Sequence, residues 1–156
     1  MYRRILVPVD GSPTSNLGIR EALKVSKEQH SKLHLVHVVD ELVVMSSVDA
    51  IFPIDDVISA LKESGKKVLE KSKAMVERAG GAADTVLLER FGGRAADSIV
   101  AEAKKWRADL IVLGTHGRRG VRRIVLGSDA EEVVRSSPVP VLLVRSRTEG
   151  SPRRKR

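Results

Sequence analysis

Cysteine is absent from the 156 residues. That excludes disulfides and thiolate metal sites and suits a reducing compartment, so a cytoplasmic location is expected. Aromatics are scarce, 3% against 42% hydrophobic residues overall, so any core must be built from Val, Ile, Leu and Ala. No long charge-free apolar run occurs, and no transmembrane span is expected. The opening MYRRILVPVDG carries too short an apolar run for a secretory signal peptide. The length suits one domain.

Acidic residues are missing where basic ones concentrate. The formal net charge is +8. Residues 114–127 hold Arg118, Arg119, Arg122 and Arg123 with no acid, a local +4. Residues 145–156 hold six bases against Glu149, a local +5, which leaves the remaining body at −1. A general nucleic-acid face would spread over an element or groove. A local anion site needs only the loop.

The chain alternates apolar β-rich runs with helical patterns. Strand runs are read at 3–10, 32–40, 85–90, 108–115 and 139–145. Between the first two, Ser12 or Thr14 caps a helix with Pro13 in its first turn. Val57, Leu61, Gly65, Val68, Ser72 and Met75 recur at helical spacing, and that helix stops at Gly80-Gly81. Ala96, Ile99, Val100, Ala103 and Trp106 stripe another helix from about residue 94, with Trp106 in the core. Ser128 to Ser136 form a short fourth. The nearly all-apolar ADLIVLGT reads as a strand covered on both faces. Five strands alternating with four helices predict an α/β fold with a parallel sheet and helices on both sides. Such sheets bind ligands beyond the carboxyl ends of their strands, where the strand order reverses. Asp10-Gly11, Asp40 and Gly114 mark three such ends, but periodicity does not give the order.

The stretch GTHGRRGVRRIVLGS, residues 114–128, is the richest in chemistry. Gly114, Gly117, Gly120 and Gly127 leave main-chain N–H groups open to an anion. Ser128 opens a helix, where unpaired N–H groups and the helix dipole favour negative charge; its hydroxyl could cap the helix or meet a phosphate. The alternative is a plain connection with solvated charges. The Walker A string and the G-x-G-x-x-G fingerprint are both missing. His34 and His37 have opposite parity on one strand, so they face opposite sides and form no metal pair; structural roles are expected for both. Asp10, His116 and Ser128 suggest a triad, but no G-x-S-x-G elbow accompanies them. Asp10 before Gly11 also reads as an ordinary turn residue.

Gly114 and Gly117, then nine residues, then Gly127-Ser128 match the G-2x-G-9x-G-S/T signature of nucleotide-binding universal stress proteins. ILVPVDGS, LHLVHVVDE, ADLIVLGTHGRRG and SPVPVLLVR also resemble that family, over about residues 2–146. The resemblance implies a Rossmann-type fold of the adenine nucleotide alpha hydrolase kind. Its single five-stranded parallel sheet would have the order 3-2-1-4-5, in a domain spanning 1–146 with a basic tail at 147–156. It implies ATP or another adenine nucleotide at the strand ends, with magnesium or manganese beside the phosphates. Asp10 resembles the acidic residue near the adenosine, with Pro8 and Val9 beside it. Val38 resembles the residue whose backbone recognises the adenine edge. Gly114, Gly117, Gly127 and Ser128 resemble the phosphate binders, with Thr115, His116 and Arg118 lining the loop. Asp129 also sits at the phosphate position, where its carboxylate would either turn away or meet the metal; the arginine pairs would offset its charge. The resemblance further implies a homodimer through the fifth strand, residues 139–145.

The expected function is therefore adenine-nucleotide binding in a stress-response or signalling module that does not turn over a substrate. The alternatives are a protein-interaction module of the same fold and a slow ATPase. The tail could also contact nucleic acid or an acidic partner.

Overall fold

The computed structural model describes residues 1–42, 53–115 and 127–145. The elements run β1 (Arg4–Pro8), α1 (Pro13–Gln29), β2 (Lys32–Asp40), α2 (Ile54–Arg78), β3 (Ala83–Arg90), α3 (Ala95–Lys105), β4 (Leu110–Gly114), α4 (Ser128–Ser136) and β5 (Val141–Val144). All strand pairs are parallel, and the sheet order is β3-β2-β1-β4-β5. The α/β class, the order and the helices on both faces are thus as the sequence led us to expect.

Alternation along the strands splits the core in two. Ile5, Val7, Leu33, Leu35 and Val112 face α1 and α2, meeting Ile19, Leu23, Leu69 and Val76. Leu6, Val36, Ile111 and Leu113 face α3 and α4, meeting Ala96, Ile99 and Val133. Ile5, Leu6 and Val7 are all fully buried, as a central strand covered on both sides requires. Burying a side chain of this kind contributes roughly 1.5–3 kcal/mol.

The helix ends are chemical. Ser12 caps α1, its Oγ accepting the Ser15 N–H at 3.1 Å, and Pro13 follows in the first turn. Helix α2 stops because Gly80 takes φ +76°. Its N–H donates to Glu77 O (2.9 Å) and that of Gly81 to Val76 O (3.0 Å), a Schellman closure that suits glycine. Helix α4 begins at Ser128, but its cap is Gly127, with no side-chain cap bond. Of the two roles for the Ser128 hydroxyl, capping is therefore not the one adopted.

Three strands, β1, β4 and β5, are shorter than their apolar runs. Pairing of β1 with β2 ends at Pro8 and Val36, since Asp10 and Gly11 (φ +78°) turn the backbone toward α1. At the far edge, β5 starts only after Pro138 and Pro140, and Ser137 closes that turn by bonding Val139. Trp106, expected in the core, is half-buried. It ends α3 with its ring stacked on His34 (centroids 4.6 Å apart, planes at 11°) and the Arg4 guanidinium 4.7 Å from its centre.

Candidate functional site

Three of the expected site segments meet at the carboxyl ends of β1 and β4. These two central strands pair in register only at Ile5–Leu110 and Leu6–Ile111. Beyond that point they separate, and β2 and β5 lead away on either side, which makes this the reversal point of the sheet.

On the β1 side, Asp10 is tied into the corner that starts α1. Its Oδ1 accepts the Ser12 N–H at 2.9 Å, and its own N–H donates to Ser15 Oγ at 3.2 Å. The turn role of Asp10 is thus real, and it holds the carboxyl group at the strand end. Pro8 is the last residue of β1, and Val9 follows, with its N–H donating to Val36 O at 2.8 Å. On β2, Val38 packs half-buried against the α3–α4 side of the core.

On the β4 side, Gly114 is packed tightly for a reason the motif alone does not supply. A Cβ there would stand 2.7 Å from both the carbonyl carbon and the carbonyl oxygen of Thr14, in the first turn of α1. Only a glycine lets α1 start this close to the end of β4. The buried Thr115 then bridges two elements, its N–H donating to Val144 O and its O accepting the Gly127 N–H, both at 2.9 Å. That second bond brings the start of α4 to the end of β4. A helix start carries N–H groups without intrahelical partners and a partial positive charge. Ser128 and Asp129, the first two residues of α4, lie there, both exposed.

His116, Gly117 and Arg118, with Arg119, Arg122 and Arg123, lie outside the described residues, as does the tail at 147–156. Among the described residues no group of three His, Cys, Asp or Glu residues could hold a metal ion, and no helix is long and apolar enough to cross a membrane.

Asp40, marked in the sequence as a strand end, has partners at the same end of the sheet that the sequence did not reveal. Asp40 Oδ1 accepts the N–H groups of Leu42 and Gly92, both at 3.0 Å, and Arg90 Nε donates to Gly92 O at 2.9 Å, closing the β2–β3 end. Lys62 of α2 spans Glu89 (2.8 Å) and Glu41 (3.1 Å). Its hydrogen bond to Glu89 first, and that to Glu41 next, hold its ammonium above the usual lysine range. Nothing in the local sequence pairs these residues, which are brought together only by the sheet order.

The two histidines do face opposite sides. His34 Nε2 donates to Glu102 Oε1 at 3.1 Å, on the α3 side. His37 Nδ1 donates to Val9 O at 2.6 Å, on the α2 side.

A family model described as the universal stress protein family matches residues 1–145. The universal stress protein MJ0531 of Methanocaldococcus jannaschii is 37% identical over 145 residues, covering 93% of this chain and 83% of its own. The solved structure of the hypothetical protein MJ0577 superposes with a TM-score of 0.79 at 27% identity, covering 95% of this chain and 99% of its own. The fold is shared, at 23% identity and a TM-score of 0.66, with a universal stress protein in complex with cAMP, over 92% of this chain and 97% of that one. It is shared at 24% and 0.66 with one from Archaeoglobus fulgidus in complex with dAMP, over 92% and 98%. With its sheet order, its strand-end corner and a family match over nearly its whole length, the chain belongs to the universal stress protein family.

Proposed function

We propose that this chain binds an adenine nucleotide, ATP in the first instance, across the carboxyl ends of its sheet. It would act as a homodimeric, cytoplasmic stress-response or signalling module. The observation that carries the reading is the Thr115–Gly127 bond, which delivers an α4 start without a side-chain cap to the reversal point of the sheet. Helix starts in that position favour phosphate. In this arrangement Pro8, Val9, Asp10 and Val38 take the nucleoside end. Gly114, Thr115, Gly127 and Ser128 take the phosphate end, together with His116, Gly117 and Arg118. Two relatives of the same fold in complex with cAMP and dAMP support an adenine nucleotide as the class. A magnesium or manganese ion would be held chiefly by phosphate oxygens, with Asp10 or Asp129 as the protein's acids. The homodimer would form through the edge strand β5, within residues 139–145.

The test is mass spectrometry of small molecules released on denaturing the purified protein, with titration of ATP and magnesium, on wild type and Ser128→Glu. An acid at the first turn of a helix is favourable for the helix, so the variant should fold. It should lose nucleotide, with affinity falling about a hundredfold for a like charge set against phosphate. A wild type that carries no nucleotide and gains no thermal stability from ATP would overturn the reading. A second reading would then take over, a protein-interaction module, because Phe91 stands 65% exposed at the end of β3.

A further inference from the structure

We propose that His37 is a positioning residue for the nucleoside end of this cleft, acting through the Val9 carbonyl; the inference rests on the nucleotide-site reading above. Its Nδ1 lies 2.6 Å from Val9 O. A carbonyl only accepts, so the ring carries its proton on Nδ1. The ring is buried, and a buried imidazole is stable only when hydrogen-bonded. Helix α2 leaves room for it with Gly65, whose absent Cβ would come within 2.9 Å of His37 Cδ2.

The consequence lies in the ladder. Val9 N–H still donates to Val36 O at 2.8 Å. A parallel ladder would next bring the Val38 N–H to Val9 O. Instead the β1–β2 register ends at Pro8–Val36, and the His37 imidazole takes that carbonyl. Main-chain groups alternate sides along a strand, so those of Val38 point the same way as those of Val36, toward β1. Past the end of β1 that direction is the cleft. The other side of the Val9–Asp10 peptide is also fixed by a side chain, Asp10 N–H donating to Ser15 Oγ at 3.2 Å. One imidazole therefore sets the peptide from which Asp10 projects and ends the ladder where Val38 begins to face a ligand.

The test compares His37→Leu with His37→Asn. The Asn amide nitrogen falls at the place of Nδ1 and can donate to Val9 O; Leu cannot. Binding of adenosine, ATP and inorganic tripolyphosphate is measured on each, beside thermal melts without ligand. His37→Leu should lose about tenfold or more in adenosine and ATP affinity, the scale of one lost hydrogen bond. His37→Asn should stay within about threefold of wild type. Tripolyphosphate, which lacks a nucleoside, should bind all three alike. Equal adenosine affinity in Leu and wild type overturns the inference and leaves the nucleotide site standing, as does an equal loss in Leu and Asn. A wild type that binds neither adenosine nor ATP overturns both. If His37→Leu does not fold, the wild type alone decides. Coupling through the hydrogen bond between ¹⁵Nδ1 of His37 and the ¹³C carbonyl of Val9 is expected by NMR, and its absence overturns the inference.

Discussion

Gly114 shows how a single residue serves packing and site together. The missing Cβ would meet the Thr14 backbone at 2.7 Å, and backbone atoms have none of the freedom to swing aside that a flexible side chain has. Gly114→Ala should therefore cost about 1–3 kcal/mol, the range for an over-packed core. Gly127 makes the contrast. Its Cβ would meet only Thr115 O at 3.4 Å, and its φ is −59°, so Gly127→Ala should cost no more than about 1 kcal/mol. Urea unfolding of the two variants checks the order, and equal costs would show that α1 and β4 are not tightly apposed. At this scale the motif was legible but its reasons were not. The spacing of Gly114, Gly127 and Ser128 could be read along the sequence. That Gly114 faces Thr14, 100 residues earlier, could not, because the contact exists only once β4 lies beside β1. His37 is similar: parity gave its face, while its partner Val9 depended on where the ladder stops.

Elements were read well where their ends are chemical. The Ser12 cap, the Gly80 stop and the start of α4 at Ser128 were all visible, since caps and left-handed stops are local. Strand ends were read less well, because apolar runs continue into turns, as Val9 and Val139 do. The α3–β2 contact escaped altogether. There His34 bonds Glu102 and stacks on Trp106, while His34 Nδ1 is buried without a partner among the described residues. Glu102→Ala would leave the second ring nitrogen buried and unpaired as well, so it should destabilise by about 1–3 kcal/mol. Glu102→Gln keeps an oxygen to accept from Nε2 and should retain most of that stability. Trp106 is the one tryptophan of the protein, so its emission during unfolding reports the packed corner directly. Similar stability in the Ala and Gln variants would mean that the hydrogen bond contributes little and the stack holds the corner alone.

For the whole molecule, alternation of strands and helices gave the class, but only the family resemblance gave the order 3-2-1-4-5. Periodicity is local, and nothing within β3 states that it lies beside β2 and away from β4. The order matters because it leaves β5 at an edge. Pro140 O accepts from Ile111 N–H at 3.0 Å, and Val144 O accepts from Thr115 N–H at 2.9 Å. Residues 140, 142 and 144 thus turn their backbone groups toward β4, and 141 and 143 turn theirs outward. An edge with outward donors and acceptors invites a second strand, and Leu142 and Val134 add exposed apolar surface at this end. If a second copy pairs here, its contact runs through the outward groups. Val141→Pro removes one outward N–H and none that faces β4, at the first residue of an edge strand, where proline is tolerated. Folded stability should change by about 1 kcal/mol, while the dimer dissociation constant rises about tenfold, as for one lost hydrogen bond. Light scattering across a dilution series separates the outcomes. A wild type that is monomeric at tens of micromolar removes the dimer, and a dimer untouched by Val141→Pro places its interface away from this edge.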